Sequence, residues 1–109
     1  MKNKTAKKNW QQGDVFGKKL NEFPSGPRKV IAKKHIILAE GEATGHAHVI
    51  DDDEAELIQI GEKILLNLAQ SAVLQHEDHG PIPLSPGIWD IGRVREFDWL
   101  QQMERKVTD

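Results

Sequence analysis

The sequence predicts an all-β fold, a small barrel or sandwich of about seven or eight strands followed by a short C-terminal helix. Stretches of β-branched and alternating apolar residues recur between Gly- and Pro-containing turns along residues 10–97. Two of these stretches are separated only by Gly61-Glu62, which is typical of a β-hairpin. The one helical signal, at Asp98, comes after all of them.

Composition limits the classes of protein to which the chain can belong. Of its 109 residues, 38% are hydrophobic and 29% are charged, a balance typical of a folded globular domain. The formal net charge of -2 gives no general attraction to nucleic acid or anionic membranes. No apolar run approaches the roughly 18 residues of a membrane span. We therefore expect a cytoplasmic protein that binds neither membranes nor nucleic acid.

We expect one domain flanked by two short segments. Residues 1–9 carry several lysines and no apolar anchor, which predicts a mobile basic tail. Residues 10–97 hold the strands of a single β-barrel or sandwich domain. Residues 98–109 begin with Asp98, which can cap a helix, and are predicted to form a C-terminal helix and tail.

The first half of the domain is expected to hold three strands. A turn at residues 12–17 leads into the first strand, and β-branched residues predict a second strand over residues 28–40 with a bend near Lys33-Lys34. A third strand is expected over residues 46–50. The acidic residues 51–54 are predicted to form a loop, because like charges repel and Asp disfavours strands.

The hairpin is the clearest local prediction. Residues 56–60 and 63–68 flank Gly61-Glu62, and a two-residue turn with Gly first fits type II′. One face of the hairpin is predicted to be core, with Leu57 opposite Leu66; its members are Leu57, Ile64, Leu66 and Leu68. The other face is also apolar and predicts either a sandwich interior or a subunit contact; its members are Ile58, Ile60 and Leu65.

The second half of the domain is expected to hold two more strands around a proline-rich segment. Residues 72–76 are predicted to form one strand, and residues 88–97 the last. Prolines recur in residues 81–86 and cannot donate backbone hydrogen bonds. This segment is therefore predicted to be a stiff sheet edge or a loop.

Four of the 5 histidines lie in two short clusters, residues 45–48 and residues 76–79. Residues two apart on a strand face the same way, so the first cluster can offer two imidazoles to one metal ion. Histidines three apart, as in the second cluster, suit two ligands only where a strand ends in a turn. The candidate metal ligands are His46, His48, His76 and His79.

The identity of the metal and its further ligands stay open. Because the chain has no cysteine, an ion would be held by imidazole, carboxylate or water, which suits zinc, iron, manganese or nickel. Four nearby carboxylates could bind the ion or accept a hydrogen bond from a histidine: Asp52, Asp53, Glu77 and Asp78.

Two other interpretations compete with a shared metal site. The histidines can have separate structural or surface roles, as we expect for the isolated His35. Alternatively, His76 or His79 can act as a base beside Asp78 without any metal.

Residues 38–50, LAEGEATGHAHVI, and residues 74–87, LQHEDHGPIPLSPG, resemble the core of a family of short, uncharacterised bacterial and phage proteins. Those proteins carry a Gly-His-Ala-His stretch and a His-Glu-x-His-x-Pro-Ile…Pro-Gly stretch at a similar separation. Residues 12–15 and 93–97 also fit the resemblance. It implies that the two histidine clusters belong to one pattern, and it implies no activity.

The chain also resembles the cupin superfamily of metal-binding β-barrels. A cupin His-x-His strand is matched by His46 and His48, and Asp52 or Asp53 falls near the position of the cupin carboxylate, which is usually Glu. The second cupin motif has a His two residues after a Pro-x-Gly turn, whereas here the histidines precede Pro86-Gly87. The resemblance implies a cupin-like barrel, and a fold alone does not imply its chemistry.

These observations predict a metal-binding, cupin-like protein with a histidine-cluster site. An open coordination position would allow hydrolysis or oxygen chemistry on a small-molecule ligand, and no catalytic residue is assigned. The alternative is a non-catalytic binding or oligomerisation module of a bacterial or phage system, with structural or surface histidines. A homo-oligomer is expected in either case.

Overall fold

The computed structural model describes residues 9–40 and 46–94, and it confirms an all-β fold. The described residues form eight strands: β1 (Asn9–Gln12), β2 (Val15–Leu20), β3 (Lys29–Glu40), β4 (Ala47–Ile60), β5 (Lys63–Leu68), β6 (Ala72–Gln75), β7 (Ile82–Leu84) and β8 (Gly87–Arg93). The predicted C-terminal helix and nearly all of the predicted basic tail lie outside the described residues. The resemblance of the barrel to a cupin stays a prediction.

All eight strands join one antiparallel sheet that curls into a nearly closed, barrel-like shape. The strand order is β1-β2-β8-β5-β4-β6-β7, and β3 pairs with the other edge of β4. β4 changes partners along its length, because residues 49–50 pair with β6 and residues 55–60 pair with β5. β4 therefore joins the part of the sheet formed by β1, β2, β8 and β5 to the part formed by β6 and β7.

The acidic residues 51–54 belong to β4, so the predicted loop is wrong. On β3, Lys33 pairs with Glu56 and His35 pairs with Asp51, so only Lys34 lies between the two paired residues. On β4, the four residues 52–55 lie between the corresponding partners. The extra residues form a bulge, and Lys34 takes a φ of 69° there. The bulge keeps most of the acidic side chains in water, where their repulsion is screened. It also accounts for the bend that was predicted near Lys33-Lys34.

The hairpin of β4 and β5 has the predicted register, with Leu57 opposite Leu66. Gly61 has a φ of 61°. Among the described residues that are not glycine, Lys34 alone has a positive φ. Glu62 is therefore not left-handed, which fits the type II′ turn that was predicted.

Buried side chains form two clusters. The larger cluster contains most of the predicted core face of the hairpin, with Ile64 packed against it; its members are Trp10, Val15, Ile36, Ile50, Ala55, Leu57, Leu66, Leu68, Ala72, Leu74, Leu84 and Trp89. The smaller cluster is the second apolar face of the hairpin: Ile58, Ile60 and Leu65. Leu20, Phe23 and Ile88 pack against it from the same chain. Of the two predicted roles, this face is interior and not a subunit contact.

The proline-rich segment is an edge of the sheet, as predicted. β7 pairs with β6 alone in the strand order, with Pro83 opposite Val73. β6 ends at Gln75, so His76 is the first residue of the loop that connects these two strands. Among the described residues, no helix is long and apolar enough to cross a membrane.

Candidate functional site

The four histidines that were predicted as metal ligands lie together at the neighbouring ends of β4 and β6. His46 directly precedes β4, and His48 lies within it. His76 directly follows β6, and His79 lies in the same loop. Because β4 and β6 are hydrogen-bonded neighbours, the fold brings the two sequence clusters side by side. We call these four residues the histidine cluster.

His76 lies at the centre of the histidine cluster. Its ring centre is 4.3 Å from that of His48, 4.6 Å from that of His79 and 5.8 Å from that of His46. The rings of His48 and His79 are nearly parallel, at 12°, with centres 6.2 Å apart. Two imidazoles on one tetrahedral zinc ion have ring centres about 5 Å apart, given Zn–N bonds of about 2.1 Å. The observed separations span this value.

The rings do not yet have the arrangement that an ion requires. Within residues 9–40 and 46–94, no three His, Asp or Glu side chains are placed so that they could hold an ion as they stand. Binding would therefore need rotations about the side-chain torsions. His79 is exposed and His46 is partly exposed, so both side chains have room to turn.

Gln12, which is not among the predicted site residues, fixes the orientation of His48. The two side chains are buried, at 2% and 6% exposure. The Gln12 Nε2 donates hydrogen bonds to the carbonyl oxygens of Leu74, at 3.1 Å, and Gly80, at 2.9 Å. Its Oε1 is therefore an acceptor, and it lies 2.8 Å from the Nδ1 of His48. Neutral His48 must carry its proton on Nδ1 and a lone pair on Nε2.

His48 is neutral at physiological pH. The pKa of His48 is lowered from 6.5 to about 4, mainly by burial and also by the neighbouring His76 and His79. Arg93 acts in the same direction, whereas the carboxylate of Asp14 opposes it. An imidazole that stays neutral keeps the lone pair that a metal ion requires.

Gly13 packs directly against the histidine cluster from the turn between β1 and β2. It has a φ of 59°, which is strained for any residue with a side chain. A Cβ at this position would lie 2.7 Å from the Nε2 of His79 and 3.3 Å from the Cε1 of His48. Only the fit of residues 12–15 to the resemblance hinted from sequence that this turn belongs to the site.

Two of the four predicted carboxylates are at the histidine cluster. The Oδ2 of Asp78 lies 2.6 Å from the Nδ1 of His46, where it can accept a hydrogen bond. The Oε1 of Glu77 accepts a hydrogen bond of 3.1 Å from the backbone N–H of Ala47. Hydrogen bonds from its own and this backbone N–H lower the pKa of Glu77, and nearby His46 adds to the effect. Asp78 thus takes the predicted role of an acceptor that orients a histidine.

The other predicted carboxylates and His35 have different surroundings. Asp52 accepts a hydrogen bond of 2.9 Å from the side chain of Gln70, and Asp53 is exposed on the β4 bulge. His35 is exposed, as expected, and pairs with Asp51 across β3 and β4.

The hydrogen bonds of His76 differ from those of His48. Its Nδ1 accepts hydrogen bonds from the backbone N–H groups of Asp78, at 3.0 Å, and His79, at 3.3 Å. Neutral His76 therefore carries its proton on Nε2.

An open cleft of about 320 Å³ adjoins the histidine cluster. It is lined by Ala47, Val49, Asp51, Gln75, His76 and Glu77. Of the four clustered histidines, His76 alone lines this cleft, so the cleft and the cluster meet at that residue.

Comparison with known proteins identifies a family without a known activity. No curated protein and no solved structure matches the chain. One family model matches residues 11–94, a range that contains Gln12, Gly13 and the whole histidine cluster. The chain therefore belongs to the family described as a domain of unknown function, DUF8820.

Proposed function

We propose that this protein binds a divalent transition-metal ion in the histidine cluster and presents it to a small molecule. Zinc, iron, manganese and nickel are the candidate ions, since the donors are imidazole nitrogens and carboxylate oxygens. One observation carries the proposal: buried His48, with its proton held on Nδ1 by Gln12, lies beside the rings of His76 and His79.

The surroundings of two histidines support this proposal. Metal-bound histidines commonly donate their other N–H to a carboxylate or a carbonyl-type oxygen, which fixes the tautomer and strengthens the ligand. His48 has such a partner in Gln12, and His46 has one in Asp78. In the neutral tautomer that these bonds favour, each ring carries its lone pair on Nε2.

The number of imidazoles indicates what the ion would do. Three or four neutral histidines leave the charge of a divalent ion uncompensated, and a site with three protein ligands keeps a position for water or substrate. An ion bound in this way can lower the pKa of water or polarise a bound oxygen. The cluster supports hydrolysis and oxygen chemistry alike.

Metal content tests the proposal. Untagged protein is dialysed against each of the four metals, freed of excess metal and analysed by elemental mass spectrometry. We expect about one ion per chain in the wild type and a several-fold lower content in His46→Ala, because one imidazole ligand of the ion is lost. His35→Ala is the matched control, since His35 also pairs with an aspartate but lies outside the cluster. Circular dichroism checks that each variant is folded.

Two results would contradict the proposal or part of it. A wild type that retains none of the four metals would exclude a metal site in the histidine cluster. A His46→Ala variant that keeps the full metal content would remove His46 from the ligands.

The alternative function is a non-catalytic module, and the contact surface that the sequence predicts for it is buried. That surface was the second apolar face of the hairpin, and Ile58 and Ile60 are buried within the chain, at 3% and 4% exposure. Large apolar side chains that are exposed in the described part of the chain are Val30, Ile31, Ile37 and Val73. The expected homo-oligomer stays a prediction, and it would have to use another surface.

A further inference from the structure

We infer that the four histidines have unequal roles: His46, His48 and His79 bind the ion, while His76 donates a hydrogen bond from Nε2 to a small oxygen-bearing anion in the open coordination position. A carboxylate is the simplest such anion. This inference rests on the proposed function, because it assigns the ligands of the same site.

The backbone around His76 argues against its binding an ion through Nε2. Such binding places the remaining ring proton on Nδ1. In this protein the Nδ1 of His76 faces two backbone donors, the N–H groups of Asp78 and His79. Moving the proton there would replace these two hydrogen bonds by contacts between donors, which is unfavourable. The loop therefore holds His76 in the tautomer with Nε2–H.

Two of the other three histidines have hydrogen bonds at Nδ1 that favour the opposite tautomer. His48 and His46 use Nδ1 toward the oxygens of Gln12 and Asp78, which favours a lone pair on Nε2. The ring nitrogens of His79 form no hydrogen bond with any residue that the structure describes, so either one can turn toward an ion. Three ligands result, which is the number found in metal sites that keep one position open.

His76 is placed to contact whatever fills that open position. Its ring lies within 5.8 Å, centre to centre, of each of the other three rings. Its Nε2 has no hydrogen-bond partner in the described part of the chain. It also borders the cleft of about 320 Å³, through which a small molecule can approach. A divalent ion with three neutral ligands attracts an anion, and an oxygen of that anion can accept the Nε2–H.

The test uses protein loaded with cobalt(II), whose visible absorption reports binding of acetate at the open position. His76→Asn is the informative variant, because its Oδ1 can still accept the backbone N–H groups of the loop while the Nε2–H is gone. We expect His76→Asn to bind cobalt with the wild-type stoichiometry and acetate about tenfold more weakly, as for loss of one hydrogen bond to a charged group. His76→Gln, whose amide nitrogen can replace the donor, should recover most of that affinity.

The outcomes separate this inference from the function on which it rests. Loss of cobalt in His76→Asn, with the wild type still binding cobalt, would make His76 a ligand and overturn the inference while the metal site stands. Unchanged acetate affinity in a cobalt-loaded His76→Asn would also overturn it. A wild type that binds no cobalt and none of the four candidate metals would overturn the proposed function itself.

Discussion

Gln12 and His48 are joined by a buried hydrogen bond of 2.8 Å although 36 positions separate them in the sequence. Gln12 ends β1 and His48 lies near the start of β4, so this bond ties the N-terminal hairpin to the histidine cluster. The Gln12 amide also donates hydrogen bonds to the carbonyl oxygens of Leu74 on β6 and of Gly80 in the loop between β6 and β7, which we call the histidine loop. One side chain thus connects every segment that forms the site.

Replacing Gln12 by Leu should weaken both the fold and the metal site. The substitution leaves the buried Nδ1–H of His48 without its acceptor and removes the donor that bonds to the carbonyl oxygens of Leu74 and Gly80. We expect the free energy of unfolding to fall by about 2–3 kcal/mol, measured with urea. We expect metal affinity to fall about 10- to 100-fold, measured by competition with a chelator. Gln11→Leu is the control, since Gln11 is exposed on the same strand; equal effects of the two changes would contradict a special role for Gln12.

The metal-free protein should lose stability as the pH falls through the titration range of His48. Its pKa is about 4 in the folded protein and 6.5 for an ordinary histidine, as in the unfolded chain, so the unfolded chain binds the proton more readily. The contribution of His48 to the free energy of unfolding is therefore complete above pH 6.5 and lost progressively toward pH 4. We expect a loss of about 2–3 kcal/mol from this residue.

Urea unfolding in the presence of a chelator, at several pH values between 7.5 and 4, measures this loss. Because carboxylates also titrate at the acidic end, the informative quantity is the difference between the wild type and His48→Gln. A variant with the same pH dependence as the wild type would show that His48 is not the group responsible.

Gly13→Ala should disturb the histidine cluster, and Gly61→Ala should not. Both glycines have a φ near 60°, at 59° and 61°, so alanine is similarly strained at both. We expect that backbone strain to lower the stability of each variant by about 1 kcal/mol. The added Cβ meets His79 and His48 at position 13, whereas nothing lies within 4 Å of it at position 61.

The difference between these two variants isolates the contact with the histidines. Gly13→Ala should bind metal several-fold more weakly than the wild type, because His79 must move, while Gly61→Ala should keep the wild-type affinity. Isothermal titration with zinc measures both. Equal zinc affinities in the two variants would mean that His79 needs no support from the Gly13 turn.

Ile58→Glu should unfold the protein and not merely dissociate an oligomer. Ile58 is 3% exposed, within the second buried cluster, and an unpaired carboxylate there would lose most of its hydration. We expect the free energy of unfolding to fall by more than about 3 kcal/mol. Ile31→Glu is the control, because Ile31 is 42% exposed. A folded Ile58→Glu protein with a smaller native mass than the wild type would instead place Ile58 in a subunit interface.

The β4–β5 hairpin could be predicted because its determinants are local. The alternation of apolar residues and the glycine at position 61 both require the same register, and a slip of one residue would turn Leu57 and Leu66 toward the opposite side. The acidic residues 51–54 could not be predicted in the same way. Their low strand propensity is a local effect of about 1 kcal/mol at most per residue, and pairing with β3 along the rest of β4 outweighs it.

The histidine cluster was predictable only in outline. The spacing of His46 and His48 indicated a shared face of a strand. The family resemblance indicated that His76 and His79 belong to the same pattern. The contribution of Gln12 could not be predicted, because it depends on contacts with residues 36 to 68 positions away. Nor could the tautomer of His76, since two backbone groups that the loop brings to its Nδ1 determine it.

The proline edge of the sheet has a consequence for self-association. β7 is 3 residues long, and Pro83 at its centre has no N–H to offer to a further strand. The histidine loop therefore adjoins an edge that is a poor template for fibril growth. By contrast, β3 is 12 residues long and, within the described residues, pairs with β4 alone. Of these two edges, β3 is therefore the better template for aggregation.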